Sequence, residues 1–513
     1  MAKKKTAGPP SAFRDLGLAK TVDDVCEEIR ELYKADAIPW VVGYSGGKDS
    51  SATLQLVWLA LQKLPPAERT KPIHVISTDT MVEQPLVARW VDTSLDRMRD
   101  AAREQDLPFQ PHKLTPEIGN SFWVNLIGRG YPAPRNKFRW CTERLKIKPS
   151  NKFIRGVVQK YGEAILVLGT RKAESQKRAL TLEKHAAKRV RERLSPNVSL
   201  PNSLVYTPIE DWNNDDVWLF LMQVKNPWGH DNKSLLGMYQ GATEGGECPL
   251  VVDSSTPSCG SSRFGCWVCT VVDKDRSMEA MIKNDEEKVW MTPLLELRNE
   301  LDEPDRDKRD FRRMSGHVQL FHDRTVPGPY TKAAREGWLR RVLEAQRSVR
   351  KNGPEDFRDL QLISPEELHE IRRIWLHEKH EFDDSLPRIF EEATGEPFPK
   401  QRDDGTALQA DDWELLREVC EDDKVLFDLQ VAMLGVEQRF RGMTRRVGVI
   451  DALEKCLKAA IFENEQDAIK VLTERDRTLK RLQDRELDDE AGRLVLFREE
   501  LASGAQAQPR RPE

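Results

Sequence analysis

The segment Trp40–Leu61 reads WVVGYSGGKDSSATLQLVWLAL, and its reading decides the fold. Trp40, Val41 and Val42 form a short β-favouring run, while Ala52, Leu56, Leu59 and Ala60 repeat at the three-and-four spacing of a helix buried on one face. A strand therefore meets a helix N-terminus across a Ser-Gly-Gly turn. Gly46 and Gly47 remove side chains where the backbone turns sharply. Ser45, Ser50, Ser51 and the unpaired N–H groups of the first helical turn then converge on one spot. Such a spot holds an anion, phosphate above all, and Lys48 adds a full positive charge. The phosphate loop G-x-x-x-x-G-K-S/T is excluded, because Asp49 follows Lys48 and no glycine stands five residues before Gly47. This is a nucleotide loop of another kind.

Further strand-like runs are Ile73–Ser77 (IHVIS), Ala164–Gly169 (AILVLG) and Leu204–Ile209 (LVYTPI), with helical patterns between them. Alternation of this kind predicts an α/β fold: a mostly parallel sheet with helices on both faces, its ligands at the carboxyl ends of the strands. The polar residues at those ends are the candidates. They are Ser77, Thr78, Asp79 and Thr80 after the second run, and Gly169, Thr170, Arg171, Glu174 and Ser175 after the third. A first helix is expected at Val22–Tyr33, behind a flexible basic leader. Beyond Asp275 the chain reads as helical and heavily charged, with SPEELHEIRRIWLHEKHEF opening on a Ser-Pro-Glu-Glu cap. The acidic stretch Asp403–Asp423 suits a protein partner better than a polyanion, and the final SGAQAQPRRPE reads as a disordered tail. The expected organisation is a leader (1–17), a nucleotide domain (18–236), a Cys-rich region (237–275), two helical regions (276–400 and 401–502) and a tail (503–513).

At roughly 150 residues per domain, 513 residues suggest two to four domains. With 81 Lys+Arg against 85 Asp+Glu, the net charge of -4 gives no bulk attraction to nucleic acid. The distribution says more, since Lys137–Arg155 holds seven Lys/Arg against one acid and Arg171–Arg193 nine against three. Two basic runs in an acidic chain imply a local face for a polyanion, part of which a triphosphate could occupy. For Lys184–Arg193 a solvated helix face is the alternative. No apolar run approaches the roughly 20 residues of a membrane span, and MAKKKTAGPPSAF lacks the apolar core of a signal peptide. A soluble, cytoplasmic protein without a membrane partner is expected. Eight unevenly placed cysteines also argue against a secreted disulfide framework.

Four of those cysteines, Cys248, Cys259, Cys266 and Cys269, fall in the Gly-, Ser- and Pro-rich stretch Gly241–Lys274. Their spacing, C-x10-C-x6-C-x2-C, suits four-thiolate ligation of zinc or of an iron–sulfur cluster. Structural zinc more often uses two C-x-x-C knuckles, and only Cys266 and Cys269 form one, which favours the cluster. Phe264, Trp267 and Val268 would supply its apolar wall. Cys141 stands between Arg139 and Arg144, with Lys137 and Lys146 close by, a setting expected to lower its pKa and suit it to carry sulfur. A packing cysteine beside Trp140 is the alternative. Cys26, Cys420 and Cys456 are expected in helix cores.

Ser45-Gly46-Gly47-Lys48-Asp49-Ser50 resembles the SGGxDS pyrophosphate loop of the ATP pyrophosphatases, a group that includes adenylylsulfate reductases and RNA thiolases. TDT at Thr78–Thr80, GTRKAES at Gly169–Ser175 and TPIEDWNNDDVWLFL at Thr207–Leu221 are similar to elements of the adenylylsulfate reductase branch, Trp212, Val217 and Trp218 being read as packing residues. FRWCTERLKIKP at Phe138–Pro149 and PGPYTKAAREGWLRRVLEAQ at Pro327–Gln346 complete the picture. Together with the four-cysteine spacing, the order over Val22–Gln346 resembles the DndC sulfurtransferases of bacterial DNA phosphorothioation. The resemblance implies ATP cleaved to AMP and pyrophosphate, with Ser45, Gly46, Gly47, Lys48, Asp49 and Ser50 at the phosphates and Mg²⁺. It also implies Asp79 and Thr80 at the nucleoside, Arg171 at phosphates (Arg178 is added on charge), and a [4Fe-4S] cluster on Cys248, Cys259, Cys266 and Cys269. Lys48, Asp49 and Cys141 are the expected catalytic residues, Asp49 in a metal-linked or loop-bracing role. The reaction implied is replacement of a non-bridging phosphate oxygen of DNA by sulfur, with a cysteine desulfurase as donor and other phosphorothioation proteins as partners. The competing readings are a [4Fe-4S]-dependent RNA thiolase and a metal-stabilised nucleic-acid-binding scaffold with a vestigial ATP loop.

Overall fold

The computed structural model describes residues 10–191, 193–243, 264–399, 410–421, 423–459 and 462–483. They form two compact units that are discontinuous in sequence: one within Met1–Pro304, Glu336–Ile371 and Pro387–Pro399, the other within Asp305–Arg335, Arg372–Leu386 and Lys400–Glu513. Among the described residues no helix is long and apolar enough to cross a membrane.

The first unit is built on a sheet of β1 (Trp40–Gly43), β2 (Ile73–Thr78), β3 (Phe109–Leu114), β4 (Ala164–Val167), β5 (Ser195–Pro196) and β6 (Ser203–Tyr206). The strand order is β3-β2-β1-β4-β6-β5, parallel throughout except for β5 against β6. β1 and β4 are central, and the apolar runs Trp40–Val42 and Ala164–Val167 are buried throughout, as strands covered on both faces must be. The mostly parallel sheet expected from sequence is present. Two of its strands, β3 and β5, were hidden by their composition. Both lie at sheet edges, where Pro111 in β3 forfeits no pairing in the interior of the sheet, and where polar residues such as Gln110 and Lys113 face water. The run expected to reach Ile209 leaves the strand after Tyr206.

The accompanying helices are α1 (Gly17–Lys34), α2 (Lys48–Gln62), α3 (Pro85–Glu104), α4 (Lys148–Tyr161), α5 (Gln176–Ala186), α6 (Asn214–Gln223) and α7 (Asn232–Gly241). The expected one-faced burial of α2 is corrected: from Ser50 to Leu61 every residue except Leu59 is buried, because α1 and α6 both pack on it in addition to the sheet. Its polar residues are matched accordingly. Gln55 donates to Asn232 Oδ1 (2.9 Å), and Trp58, stacked on Phe109 at 4.2 Å, donates to Gln105 Oε1 (2.8 Å). Part of the expected leader is docked. Phe13 is buried edge-on to Trp212 at 5.0 Å, and the Ala12 N–H donates to Asp216 Oδ2 (3.0 Å), the carboxylate that also closes the capping box of α6.

The remaining elements are α8 (Arg276–Asn284), α9 (Thr292–Asp302), α10 (Lys332–Asn352), α11 (Pro365–Arg373), α12 (Ser385–Thr394), α13 (Ala410–Val419), α14 (Lys424–Arg441) and α15 (Val449–Ala459), with the short hairpin β7 (Leu320–Phe321) and β8 (Arg324–Thr325). The helical C-terminal part is as expected. Ser364 and Glu367 form the capping box read in the sequence, Ser364 N–H donating to Glu367 Oε2 (2.9 Å) and Glu367 N–H to Ser364 Oγ (3.2 Å). In the second unit, Arg335 is paired with Glu381 and lies over the Trp375 ring.

Glu367 yields a pH prediction. It is 1% exposed, and burial pushes its carboxyl up to about 7. The native state therefore holds the proton more tightly than the unfolded chain, whose carboxyl titrates near ~4.3. Its contribution to stability is complete below that pH and is lost as pH rises through about 7. Glu367→Gln keeps an acceptor for the cap without the titration. Urea midpoints measured across this window are expected to fall with pH in the wild type and to flatten in the variant; parallel curves would refute the assignment.

Candidate active site

A cleft of about 1080 Å³ opens at the carboxyl ends of β1, β2 and β4. It lies where the chain order reverses between β1 and β4, the position at which open parallel sheets bind ligands. The loop Ser45–Ser50 forms one wall. Gly46 has φ +73°, and a Cβ there would stand 2.5 Å from Val91 Cγ2, so the position admits only glycine. Its carbonyl accepts from Trp90 Nε1 (3.1 Å). Gly47 is the N-cap of α2 and offers no side chain to the first-turn N–H groups, of which that of Lys48 meets the Tyr239 hydroxyl at 3.5 Å. Ser50 Oγ donates to the Gly47 carbonyl (2.9 Å) and accepts from the Ser45 N–H (3.2 Å), bracing the turn. Ser51, expected at the same spot, is buried behind it and does not line the cleft. Gly169 lets the chain leaving β4 pass against α2, since a Cβ there would lie 2.7 Å from the Asp49 carbonyl oxygen.

Asp49 is held between two cations, Lys48 Nζ at 3.2 Å from Oδ2 and Arg171 Nε at 2.7 Å from Oδ1. Of the roles expected for Asp49, bracing is the one its contacts display. Arg171 is 3% exposed and also donates to the Trp212 carbonyl (3.2 Å), so it acts through Asp49 at the edge of the cleft. Arg178 lines the cleft on the far side, paired with Glu174 at 3.0 Å. Asp79 lines it too, with Lys113 Nζ at 3.1 Å and the Met81 N–H on its other oxygen (2.8 Å). Thr80 departs from expectation. It is fully buried beneath the rim, donates to Glu83 Oε1 (2.9 Å) and lies 3.2 Å from Cys266 Sγ, so it supports a thiol and does not line the cleft.

Cys248 and Cys259 lie outside the described residues. Cys266 and Cys269 form a tight turn, the Cys269 N–H donating to the Cys266 carbonyl (3.1 Å). Cys266 pairs with Glu83 in an isolated antiparallel bridge, and the Trp267 N–H donates to the Val82 carbonyl (3.0 Å). The turn is thus fixed to the segment that follows β2, and Glu83 itself lines the cleft. Trp267 and Val268 are buried, and Phe264 packs edge-on to Tyr239 at 4.7 Å. Burial pushes the Cys266 thiol up to about 12, with the Glu83 carboxylate adding and Lys146 opposing. Burial works against the Lys146 ammonium, but negative charge at Cys266 and Glu83 outweighs it and holds its pKa above the usual lysine range. Two half-buried thiols in one turn, walled by aromatic and aliphatic side chains, are a donor set that fits a thiolate-bound metal, whose charge replaces the protons. Among the described residues, no group of three or more His, Cys, Asp or Glu side chains could hold a metal.

The expectation for Cys141 is corrected. Burial pushes its thiol up, and negative charge at Cys269 adds to this. The flanking cations are directed elsewhere: Arg144 to Asn120 Oδ1 and the Tyr131 hydroxyl (both 3.0 Å), Arg139 to Asn136 (2.9 Å), and Lys146 to Glu83 (3.5 Å). A π-turn at Thr142–Ile147 spreads these side chains around the axis. Cys26 and Cys420 are buried and Cys456 is half-buried. Trp212, Val217 and Trp218 are core. Sequence reasoning missed Glu83, Trp90 and Tyr239. The Tyr239 ring lies 5.6 Å from Lys48 Nζ, and its hydroxyl is 3.5 Å from the Lys48 nitrogen. Its one sequence signal is that α7 runs directly into the Cys-rich stretch.

Residues 39–271 match the model of the phosphoadenosine phosphosulfate reductase domain. An uncharacterized protein of Methanocaldococcus jannaschii is 27% identical over 263 residues, 51% of this chain and 42% of the relative's own length. The chain thus spans less than half of that relative. Among solved structures, phosphoadenylyl-sulfate reductase from Candida auris aligns over 42% of this chain and 89% of its own, at 14% identity and a TM-score of 0.26. The U34-tRNA thiolase of Methanococcus maripaludis, solved with its [4Fe-4S] cluster, aligns over 59% of this chain and 89% of its own, at 14% identity and a TM-score of 0.27. Over residues 39–271, less than half of the chain, the sequence is thus similar to the phosphoadenosine phosphosulfate reductase domain, and the same stretch holds the parallel sheet and its switch-point cleft.

Proposed function

We propose that this protein is an ATP pyrophosphatase that activates a DNA backbone phosphate for replacement of a non-bridging oxygen by sulfur. The observation that carries the reading is the shared wall. Glu83 lines the cleft beside the phosphate loop and is also paired, backbone to backbone, with Cys266. Nucleotide chemistry and thiol chemistry therefore meet at one edge. The basic run Lys137–Arg155 supplies Lys146, Ser150 and Asn151 to that same cleft, which suits a polyanionic second substrate.

A phosphodiester oxygen is a poor leaving group, so it must be activated before it can be exchanged. In the proposed scheme a DNA phosphate oxygen attacks the α-phosphorus of ATP, the bond to pyrophosphate breaks, and the DNA phosphate becomes linked to AMP. The first-turn N–H groups of α2, the hydroxyls of Ser45 and Ser50, and Lys48 hold the departing pyrophosphate. Asp49 keeps Lys48 in place, and Arg171 keeps Asp49. The cysteine desulfurase partner supplies a persulfide, a thiol reductant gives the two electrons that cleave its S–S bond, and the sulfide-level sulfur so released displaces AMP, which leaves with the oxygen. Other phosphorothioation proteins would deliver the DNA.

The carboxylates lining the cleft, Asp49, Asp79, Glu83, Asp92 and Glu174, each have a cationic partner already. Mg²⁺ would accordingly be carried in on the triphosphate, neutralising its charge. Cys266 and Cys269, with Cys248 and Cys259, would hold a [4Fe-4S] cluster, which supplies sulfur-transfer or electron chemistry when bound. With its thiol pushed up, Cys141 has lost the electrostatic case for carrying sulfur, and no step is assigned to it.

Three outcomes test the reading. ATP labelled at the α-phosphate is expected to give AMP and pyrophosphate when DNA and a sulfur donor are present, and digestion of the DNA is expected to release a phosphorothioate dinucleotide. A thiolated nucleoside from tRNA would replace this reading with RNA thiolation, and no pyrophosphate under any partner combination would leave only a binding scaffold. Lys48→Met is expected to slow pyrophosphate release by about 100-fold, the usual cost of losing one preorganised charge donor; a variant within a few-fold of wild type would remove Lys48 from the mechanism. Protein purified without oxygen is expected to contain iron and acid-labile sulfide, both lost in Cys266→Ser. Stoichiometric zinc in a colourless protein would sink the cluster.

A further inference from the structure

The second unit contains an element that the cleft chemistry does not use. Residues 310–329 are knit by backbone hydrogen bonds at their root, Asp310 N–H to the Pro329 carbonyl (2.8 Å) and Gly328 N–H to the Asp310 carbonyl (2.7 Å). Arg309 Nε adds a bond to the Gly328 carbonyl (2.8 Å), and the buried Tyr330 donates to Asp305 Oδ2 (3.0 Å). From this root two tight turns project. The first is closed by the Arg313 N–H to the His317 carbonyl and the Gly316 N–H to the Arg313 carbonyl (both 2.8 Å), with Gly316 at φ +82°. The second is the β7–β8 hairpin, whose central residues His322 and Asp323 both have positive φ (47° and 56°), the geometry of a two-residue turn that matches strand twist.

Each turn presents one apolar side chain and one arginine to solvent. Met314 is 55% exposed beside Arg313, and Phe321 is 69% exposed directly across the ladder from Arg324. The His322 ring packs edge-on against Phe321 at 4.3 Å, holding the phenyl ring outward. Among the described residues neither Arg313 nor Arg324 has an acidic partner, and the only carboxylate exposed on the two turns is Asp323. Two separate apolar tips are too small for a stable protein interface, which needs roughly 800 Å² on each side. Exposed apolar side chains flanked by arginines are, by contrast, what wedge between base steps from the minor groove of a duplex while the cations meet phosphates.

We propose that these two turns are a duplex DNA-binding ribbon, with Phe321 as the wedge and Arg313 and Arg324 as phosphate contacts. The inference rests on the reading of DNA as substrate and assigns its grip to a part of the chain outside the matched domain.

The test is binding of the full chain to a fluorescent DNA duplex, followed by anisotropy over a range of salt, for wild type, Phe321→Ala and the double variant Arg313→Gln/Arg324→Gln. Thermal unfolding of the full chain, measured in parallel, should be superimposable for all three and shows that the variants are folded. Phe321→Ala is expected to weaken binding roughly ten-fold with the salt dependence unchanged. The double variant is expected to lower the slope of log affinity against log salt by about two, one for each phosphate contact. If the wild type binds DNA and both variants bind within two-fold of it at every salt, the ribbon is not the contact, while the proposed DNA substrate stands. If the wild type binds no duplex even at low salt, the substrate reading falls and the ribbon with it.

Discussion

The close approach of two chain segments at Gly169 sets the geometry of the loop end of the cleft. The chain leaving β4 passes so near the first turn of α2 that a single added carbon would stand 2.7 Å from the Asp49 carbonyl. That approach brings Arg171, two residues on, within 2.7 Å of the Asp49 carboxylate, and Asp49 in turn fixes Lys48. A side chain 3% exposed at the cleft wall thus positions a cation in the cleft through the carboxylate between them. The turn itself is braced from within, Ser50 bridging the Gly47 carbonyl and the Ser45 N–H, and from α3 through Trp90. Preorganisation of this kind moves the cost of ordering the site into folding, where the buried α2 can bear it.

At its other end the cleft is fixed by a different device. Glu83 and Cys266 are paired strand-like across a single bridge, so the thiol turn borrows its position from the segment after β2. Thr80 fits this logic. Its hydroxyl, lying between Glu83 and Cys266, joins a polar junction to which Lys146 also contributes.

How much of this was legible in the sequence follows from which physical signals are local. The β1–turn–α2 unit announces itself because an uninterrupted apolar run, two glycines and helical periodicity stand in one window. The capping box at Ser364 and Glu367 is legible for the same reason. β3 was not, since an edge strand interrupted by Pro111 carries no apolar alternation. Asp79 and Thr80 looked equivalent as neighbours, yet only Asp79 lines the cleft, because Thr80 is turned to Glu83 and Cys266, a contact with residue 266 that no local pattern reveals. Cys141 misled for a related reason. Charge nearby in sequence lowers a thiol pKa only if the side chains converge, and the π-turn directs them to Asn120, Tyr131 and Glu83. Trp90 and Tyr239 reach the loop from 44 and 191 positions away along the chain, a contact that no local pattern encodes.

The discontinuity of the first unit bears on any attempt to dissect the chain. Trp123, fully buried, donates its indole N–H to the Leu362 carbonyl (2.7 Å), and Arg341 is paired with Glu300. Gln346 caps the Leu362 N–H (2.7 Å) from the middle of α10. These partners come from Glu336–Ile371, well beyond the end of the matched domain. A truncation at Pro304 would strand a buried indole and open the hydrophobic layer around it. The matched stretch is therefore shorter than the unit of folding, and a protease that cuts between the two stretches would nick the chain without releasing the sheet-bearing half as a stable piece.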